Sequence, residues 1–333
     1  MSSGGQPVKS RELFWLLQKE YGPEAVKYID TGKWKRHPLT TFLKVMFLSI
    51  RSDAIIMLPA HNGVKVFSRI LCFVKKRFKK HIFYDVIGGW LVELLKENPK
   101  LIVNLSRFDC VFVETSTMKS GLDKMNIPCR VVPNFRRFEP LLESSLDLVI
   151  KKPLRLCIFS RITEMKGITD AIEVVRSINI GRTFYTLDIY GPIDPLYEER
   201  FKQLRESFPA FIKYKGCVSP TNSVSVLKDY FALLFPTKFY TEGIPGTVVD
   251  AFFSGLPVIS SKWLSFSDVI NDGRTGIGFE FNNFNDLREK LIEIYKKPQI
   301  IINMKSTCIN ESKLYTAQHA LSLLKEEFEI KRI

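Results

Sequence analysis

Short apolar runs alternate with amphipathic stretches along almost the whole chain, and that alternation restricts it to parallel sheets covered by helices. The fold class expected is therefore α/β. In the first half, strands are expected near residues 24–29, 53–58, 81–86, 109–114 and 130–133, with helices near 9–20, 64–79, 88–97 and 116–124. In the second half, strands are expected near 154–160, 185–190, 211–214, 231–235, 257–260 and 277–281, with helices near 167–180, 196–208, 220–229, 247–254 and 284–297. Two similar α/β units result, and a length of 333 residues is enough for each to bury a core. The polar stretch 135–153, containing Lys151-Lys152-Pro153, lacks sustained periodicity and reads as the linker. The domains expected are an N-terminal one over 1–147 and a C-terminal one over 148–311.

The start of the first unit departs from the pattern. Gly4-Gly5 runs into a helix, and in an α/β unit such a loop normally follows a strand. The expectation is that a first strand is missing because the translation start is set too late. As a bland alternative, two amino-terminal glycines are simply disordered.

Six cysteines show no metal-ligand spacing and most lie in apolar runs, which suits buried thiols in a reducing cytoplasm. No stretch reaches about 18 uninterrupted apolar residues, since the best candidate, residues 41–60, is broken by Lys44, Arg51 and Asp53. The amino terminus does not read as a signal peptide. Net charge is +14 and uneven: residues 1–150 hold 24 Lys/Arg against 14 Asp/Glu. Residues 64–80 mix Phe, Leu and Val with seven cations and read as a helix suited to an anionic membrane surface or a lipid pyrophosphate, or as a plain solvated helix end. No nucleic-acid motif accompanies the charge, so nucleic acid is not an expected partner.

Two clusters carry the chemistry. Glu242 stands on a Gly/Pro-rich loop, eight residues before Asp250 in a short helix. Gly243 and Gly246 allow close backbone approach to a ligand, and the open amides of a helix start attract anions, so this arrangement suits a ligand bearing both phosphates and hydroxyls. The bland reading makes Asp250 the end of a capping box begun by Thr247, and Glu242 a solvated loop acid. The second cluster is Arg161 and Lys166, on the crossover that follows the strand Leu154 to Ser160. Two cations at the carboxyl end of a sheet can clamp a diphosphate, or can merely pair with Glu164 and solvent.

With Ser160-Arg161…Lys166-Gly167, Tyr190-Gly191, Phe235-Pro236-Thr237, the Glu242 loop, Gly255 to Ser260 and Asn271 to Gly276, the chain resembles the retaining GT-B glycosyltransferases of family four, the group 1 type. Val131-Val132-Pro133-Asn134-Phe135 is similar to the end of that family's first domain. The resemblance implies two Rossmann-like domains facing across a cleft, the first lacking its first strand, with a final helix, about 312–333, crossing back onto it.

It also implies an enzyme moving a hexose-type sugar from a nucleotide-sugar donor to a glycan or lipid-linked saccharide, with retention, in surface polysaccharide biosynthesis at the inner face of the cytoplasmic membrane. Catalysis then falls to Glu242, Arg161 and Lys166. Donor binding falls to Gly5, Arg161, Lys166, Glu242, Gly243, Ile244, Pro245 and Asp250, with Glu242 on the sugar and Asp250 on the ribose. Neither metal nor cofactor is expected, since two cations and helix amides serve the diphosphate. Many relatives carry a histidine in the loop that here reads Tyr84 to Trp90; none is present, and Asp85 and His61 are the candidates for the acceptor side. The alternatives are a GT-B sugar-nucleotide epimerase or hydrolase, and a non-catalytic membrane-surface scaffold.

Overall fold

A computed structural model describes residues 5–32 and 34–331. The chain divides into two compact units, one built from the residues up to Arg137 together with those from Ala317 onward, the other from Phe138–Thr316. The expected α/β class is borne out: each unit is a parallel sheet with helices on both faces.

In the first unit the elements are α1 (Gly5–Tyr21), α2 (Pro38–Arg51), β1 (Ala54–Met57), α3 (His61–Phe78), β2 (His81–Asp85), α4 (Leu91–Glu97), α5 (Lys100–Leu105), β3 (Cys110–Val113), α6 (Ser116–Asp123) and β4 (Cys129–Val131). Its four strands pair in chain order, β1-β2-β3-β4, all parallel. One sheet face packs on α3 to α6 through Val64, Phe67, Leu71, Leu94, Leu105 and Met118. The other is covered by Leu13 and Leu16 of α1 and by Ala320, Leu324 and Phe328 of the last helix, α14 (Ala317–Lys331).

Two expectations need correction here. Residues 24–29 form no strand: 23–25 are a turn and 26–29 are irregular. Val26 and Tyr28 alternate correctly, but β1 pairs only with β2, and an extended segment without a ladder partner keeps its backbone groups in water instead. The interrupted apolar stretch 41–60 resolves into most of α2 followed by β1, and no helix among the described residues is long and apolar enough to cross a membrane. In α3 the apolar residues Val64, Phe67, Leu71 and Val74 face the core, so the cationic 64–80 segment has no apolar stripe of its own to lay on a membrane; Phe73 alone stays exposed.

The second unit comprises β5 (Leu154–Phe159), α7 (Ile168–Ile178), β6 (Tyr185–Tyr190), α8 (Glu198–Glu206), β7 (Ile212–Gly216), α9 (Ser223–Leu227), β8 (Ala232–Phe235), α10 (Gly246–Phe253), β9 (Val258–Ser261), α11 (Phe266–Val269), β10 (Gly276–Phe279), α12 (Phe284–Lys296) and α13 (Gln299–Ser312). Here the parallel order is β10-β9-β8-β5-β6-β7. From β5 the chain builds outward in one direction through β6 and β7, then returns to the other side of β5 with β8. That reversal is a topological switch point, and the loops leaving the carboxyl ends of β5 and β8 diverge there to opposite sheet faces, opening a crevice.

The segment read as a linker is largely part of this unit. Leu141 N–H donates to the Phe253 carbonyl at 2.8 Å, and the Phe138 ring meets that of Phe253 edge-on at 5.5 Å. The unit boundaries consequently fall after Arg137 and Thr316 instead of after 147 and 311, because apolar side chains inside a polar-looking stretch find the core.

Candidate functional site

Two glycines fix the switch-point crevice. At Gly167 (φ +65°) an added Cβ would lie 2.0 Å from the Pro236 carbonyl oxygen, so the β5 loop touches the β8 loop there only because the side chain is absent. At Gly191 (φ +134°), just after β6, a Cβ would lie 1.8 Å from the Ser160 oxygen. The Lys238 N–H donates to the Met165 carbonyl at 2.8 Å and joins the two loops again.

In this frame Lys166 and Glu242 meet. The Lys166 ammonium binds the Glu242 carboxylate and lies 5.2 and 5.1 Å from the ring centroids of Phe235 and Phe239. Thr237 donates its hydroxyl to Glu242 Oε1 at 2.9 Å while accepting from the Phe239 N–H at 3.2 Å. The Glu242 side chain retains only 15% of its exposure, so it is not a solvated loop acid.

Nor is there a capping box. The helix α10 starts at Gly246 with Pro245 at its N-cap position and no side-chain cap, so Thr247 lies inside the first turn and Asp250 a turn further on. Gly243, Ile244, Pro245 and Asp250 are buried, and the Thr247 hydroxyl has no hydrogen-bond partner. The short spacing of Glu242 and Asp250 therefore spans a loop tied to β5 and a buried helix face.

Arg161 is not brought to Lys166. Its guanidinium is nearly half exposed and pairs loosely with Asp194, at 3.8 Å. A neighbouring cation went unnoticed in the sequence: Lys238 holds Asp170 at 2.5 Å and Glu164 at 3.4 Å. Burial alone would lower its pKa, but these two carboxylates outweigh it and push it up. Thr237 and Phe239, two and four residues past the end of β8, were also given no role. Their position after an apolar strand in a Pro-containing loop was the available signal.

In the first unit, Gly5 is the first residue of α1, and Gly4 lies outside the described residues. Asp85, at the carboxyl end of β2, is buried and bound: Lys9 Nζ donates to it at 2.8 Å, to the Val86 carbonyl at 3.2 Å and to Glu114 Oε1 at 3.3 Å. Glu114 also accepts from the Gly88 N–H at 3.3 Å, which fastens the loop between β2 and α4 to β3. Burial would lower the Lys9 pKa, yet Asp85 and Glu114 together hold it up. Burial raises that of Asp85 against the pull of Lys9. One ammonium set between two carboxylates keeps its proton.

Lys9 escaped notice although it shares a helical face with buried Leu13 and Leu16, where a cation requires a partner. His61 is elsewhere: at the start of α3 it stacks on the Trp90 ring at 3.8 Å, with its pKa pushed down by burial and then by Lys65. Among the described residues no group of three or more His, Cys, Asp or Glu is arranged to hold a metal ion.

The family model for "Glycosyl transferases group 1" matches residues 147–314. Among curated proteins, an uncharacterized 41.2 kDa protein in the cps region of Klebsiella pneumoniae is 22% identical over 237 residues, 66% of this chain and 62% of that protein. The putative colanic acid biosynthesis glycosyltransferase WcaL of Salmonella typhimurium is 29% identical over 148 residues, 42% of this chain and 36% of WcaL. The chain thus spans less than two thirds of each of these relatives. Among solved structures, sucrose-phosphate synthase of Thermosynechococcus elongatus superposes with a TM-score of 0.76 at 15% identity, covering 99% of this chain and 94% of that one. Anabaena HepE, crystallised with UDP and glucose, superposes at 0.74 with 13% identity, covering 98% and 96%.

Proposed function

We propose, for a chain that belongs to the glycosyl transferases group 1 family, that it transfers a hexose-type sugar from a nucleotide-sugar donor to a glycan or lipid-linked saccharide, with retention at the anomeric carbon. The observation that carries this reading is the meeting of Lys166 and Glu242 at the switch point of the second sheet, beside a helix start that no side chain caps. Lys166, the amides opening α10, and Arg161 swinging from its loose contact with Asp194 neutralise the donor diphosphate. Glu242, held by Thr237, accepts from the sugar hydroxyls. Asp250 accepts from the ribose.

As the glycosidic bond to the diphosphate breaks, charge grows on the leaving oxygens, where these donors are already in place. The acceptor oxygen attacks from the leaving-group side and passes its proton to a departing phosphate oxygen, so no protein nucleophile is used. The neighbours' names support the donor and product class: HepE was crystallised with UDP and glucose, and WcaL is named for colanic acid biosynthesis.

A membrane-bound acceptor is supported by α2. It exposes Leu39, Phe42, Leu43, Phe47 and Ile50 at helical spacing. Around it, residues 31–52 carry Lys33, Lys35, Arg36, Lys44 and Arg51 and no Asp or Glu. An apolar stripe with a cationic border suits the surface of an anionic bilayer and supports a reading of the enzyme at its cytoplasmic side.

The test is calorimetric titration of the purified chain with nucleoside diphosphates and their hexose conjugates. Binding of at least one diphosphate is expected, lost in Lys166→Ala. In Glu242→Gln diphosphate binding should persist while the preference among conjugated sugars disappears. Absence of any nucleotide binding, or unchanged sugar transfer by Glu242→Ala, refutes the reading.

A further inference from the structure

At the other end of the second unit, below the amino-terminal ends of β5 and β8, lies a cavity of about 160 Å³. Lys151, Arg155, Lys228 and Lys305 line it, with Asp147 and Asp229. Three of the cations are on the exposed rim, but Lys305, on α13, is only 4% exposed. Its ammonium makes no hydrogen bond or ion pair among the described residues. Burial lowers its pKa, with Asp147, Cys308 and Asp229 opposing only in part.

The carboxylate nearest in kind is already engaged: Asp147 Oδ2 accepts from Lys151 at 2.7 Å and Oδ1 from the Val149 N–H at 3.0 Å. Arg155 is pinned from outside, donating to the Asp229 carbonyl at 3.2 Å and lying over the Tyr230 ring at 4.6 Å. A buried ammonium without a partner is costly, and the same side chain could have been an apolar one of equal length. Arg155 also pairs with Asp188 at 3.7 Å, which leaves Lys228 and the buried Lys305 as the cations of the lining without an ion pair among the described residues.

We propose that this cavity is a binding site for a tetrahedral oxyanion of the phosphate class, separate from the donor end of the sheet, with Lys305 as its buried anchor and Lys151, Arg155 and Lys228 as its rim. Such an anion gives Lys305 the acceptor that the protein does not. The ligand in the cell is inorganic phosphate or the phosphoryl group of a small metabolite, and the two share this chemistry.

The experiment follows the thermal midpoint of the full chain against inorganic phosphate, sulfate, phenyl phosphate and acetate at one ionic strength. Phosphate and sulfate are expected to give a saturable rise and acetate none, because ligand that binds only the folded state stabilises it by mass action. Phenyl phosphate decides the source: a rise matching that of phosphate admits phosphoryl groups of metabolites, and none restricts the site to the free anion.

Lys305→Met should abolish the phosphate response. Lys228→Gln, a change at the exposed rim, should keep the fold and weaken phosphate by about threefold to tenfold. In Lys166→Ala the response should persist, since that side chain stands at the opposite end of β5. A wild-type protein with no saturable response, a response untouched by Lys305→Met and Lys228→Gln alike, or one lost in Lys166→Ala overturns the assignment.

Discussion

Breaking the Lys166–Glu242 pair should destabilise the second unit by an amount its burial sets. An exposed ion pair contributes about 0–1 kcal/mol, and removing one partner of a fully buried pair costs about 3–5 kcal/mol. These side chains keep 18% and 15% of their exposure, closer to the buried limit, yet solvent still screens them. About 2 kcal/mol is therefore expected for Glu242→Gln. Lys166→Met should cost somewhat more, because the ammonium also gives up its places over Phe235 and Phe239, each worth roughly 0.5–1 kcal/mol.

In a unit this size, about 2 kcal/mol corresponds to a midpoint shift of about 4–8 °C. The assay is urea denaturation of wild type, both single variants and the double variant, followed by fluorescence. If the charges interact as their geometry demands, the double variant loses less than the sum of the singles by about 2 kcal/mol. Additivity to within about 0.5 kcal/mol would mean that the charges do not sense each other, and would remove the reason for placing a diphosphate ligand beside Lys166.

Gly191→Ala should destabilise the second unit by at least about 3 kcal/mol, from strain at a glycine-only backbone conformation and a Cβ 1.8 Å from the Ser160 oxygen. Gly22→Ala, at φ +90° with nothing within 4 Å, should cost only about 1 kcal/mol in the same urea assay, and equal costs would refute the clash argument. Asp109 titrates below the usual carboxylate range: burial would raise it, but the Lys75 hydrogen bond at 2.6 Å and the Ile82 N–H at 2.7 Å outweigh that. Its contribution is fully present above the unfolded pKa of about 4 and disappears as pH falls through the lower folded value. The stability difference between wild type and Asp109→Asn should accordingly hold steady from pH 7 to about 5 and shrink below about 4; a difference that grows in acid would contradict it. Replacing the exposed Leu43 and Phe47 together by serine should leave the urea midpoint within about 0.5 kcal/mol while weakening sedimentation with anionic vesicles at least about tenfold. Unchanged sedimentation would exclude α2 as the contact.

The second unit was legible because its central strands are largely buried and read as apolar runs, Leu156 to Phe159 and Ala232 to Phe235 among them. The first unit was less so. In α2 the apolar stripe points outward, so hydrophobic periodicity there marks a surface and not a core. In 24–29 the alternation was present but the neighbouring strand was not, and pairing is a property of the sheet that no local pattern contains. The apparent linker concealed Phe138 and Leu141, two core residues in a stretch whose composition is polar.

The same distinction separates the two halves of the candidate site. Glu242 and Lys166 could be singled out because each stands on a loop whose own sequence announces a strand end and a helix start. Their encounter then depended on one fact of topology, the reversal of strand order between β5 and β8. Lys9, Asp85 and Glu114 lie at three distant positions with no shared motif, and only the parallel register of β2 and β3 brings the two acids to one end of the sheet beneath α1. That cluster pins the loop where many relatives carry a histidine. Because Lys9 holds Asp85 Oδ1 at 2.8 Å, Asp85 ties this loop to α1. At the end of that loop the Trp90 ring is stacked against His61.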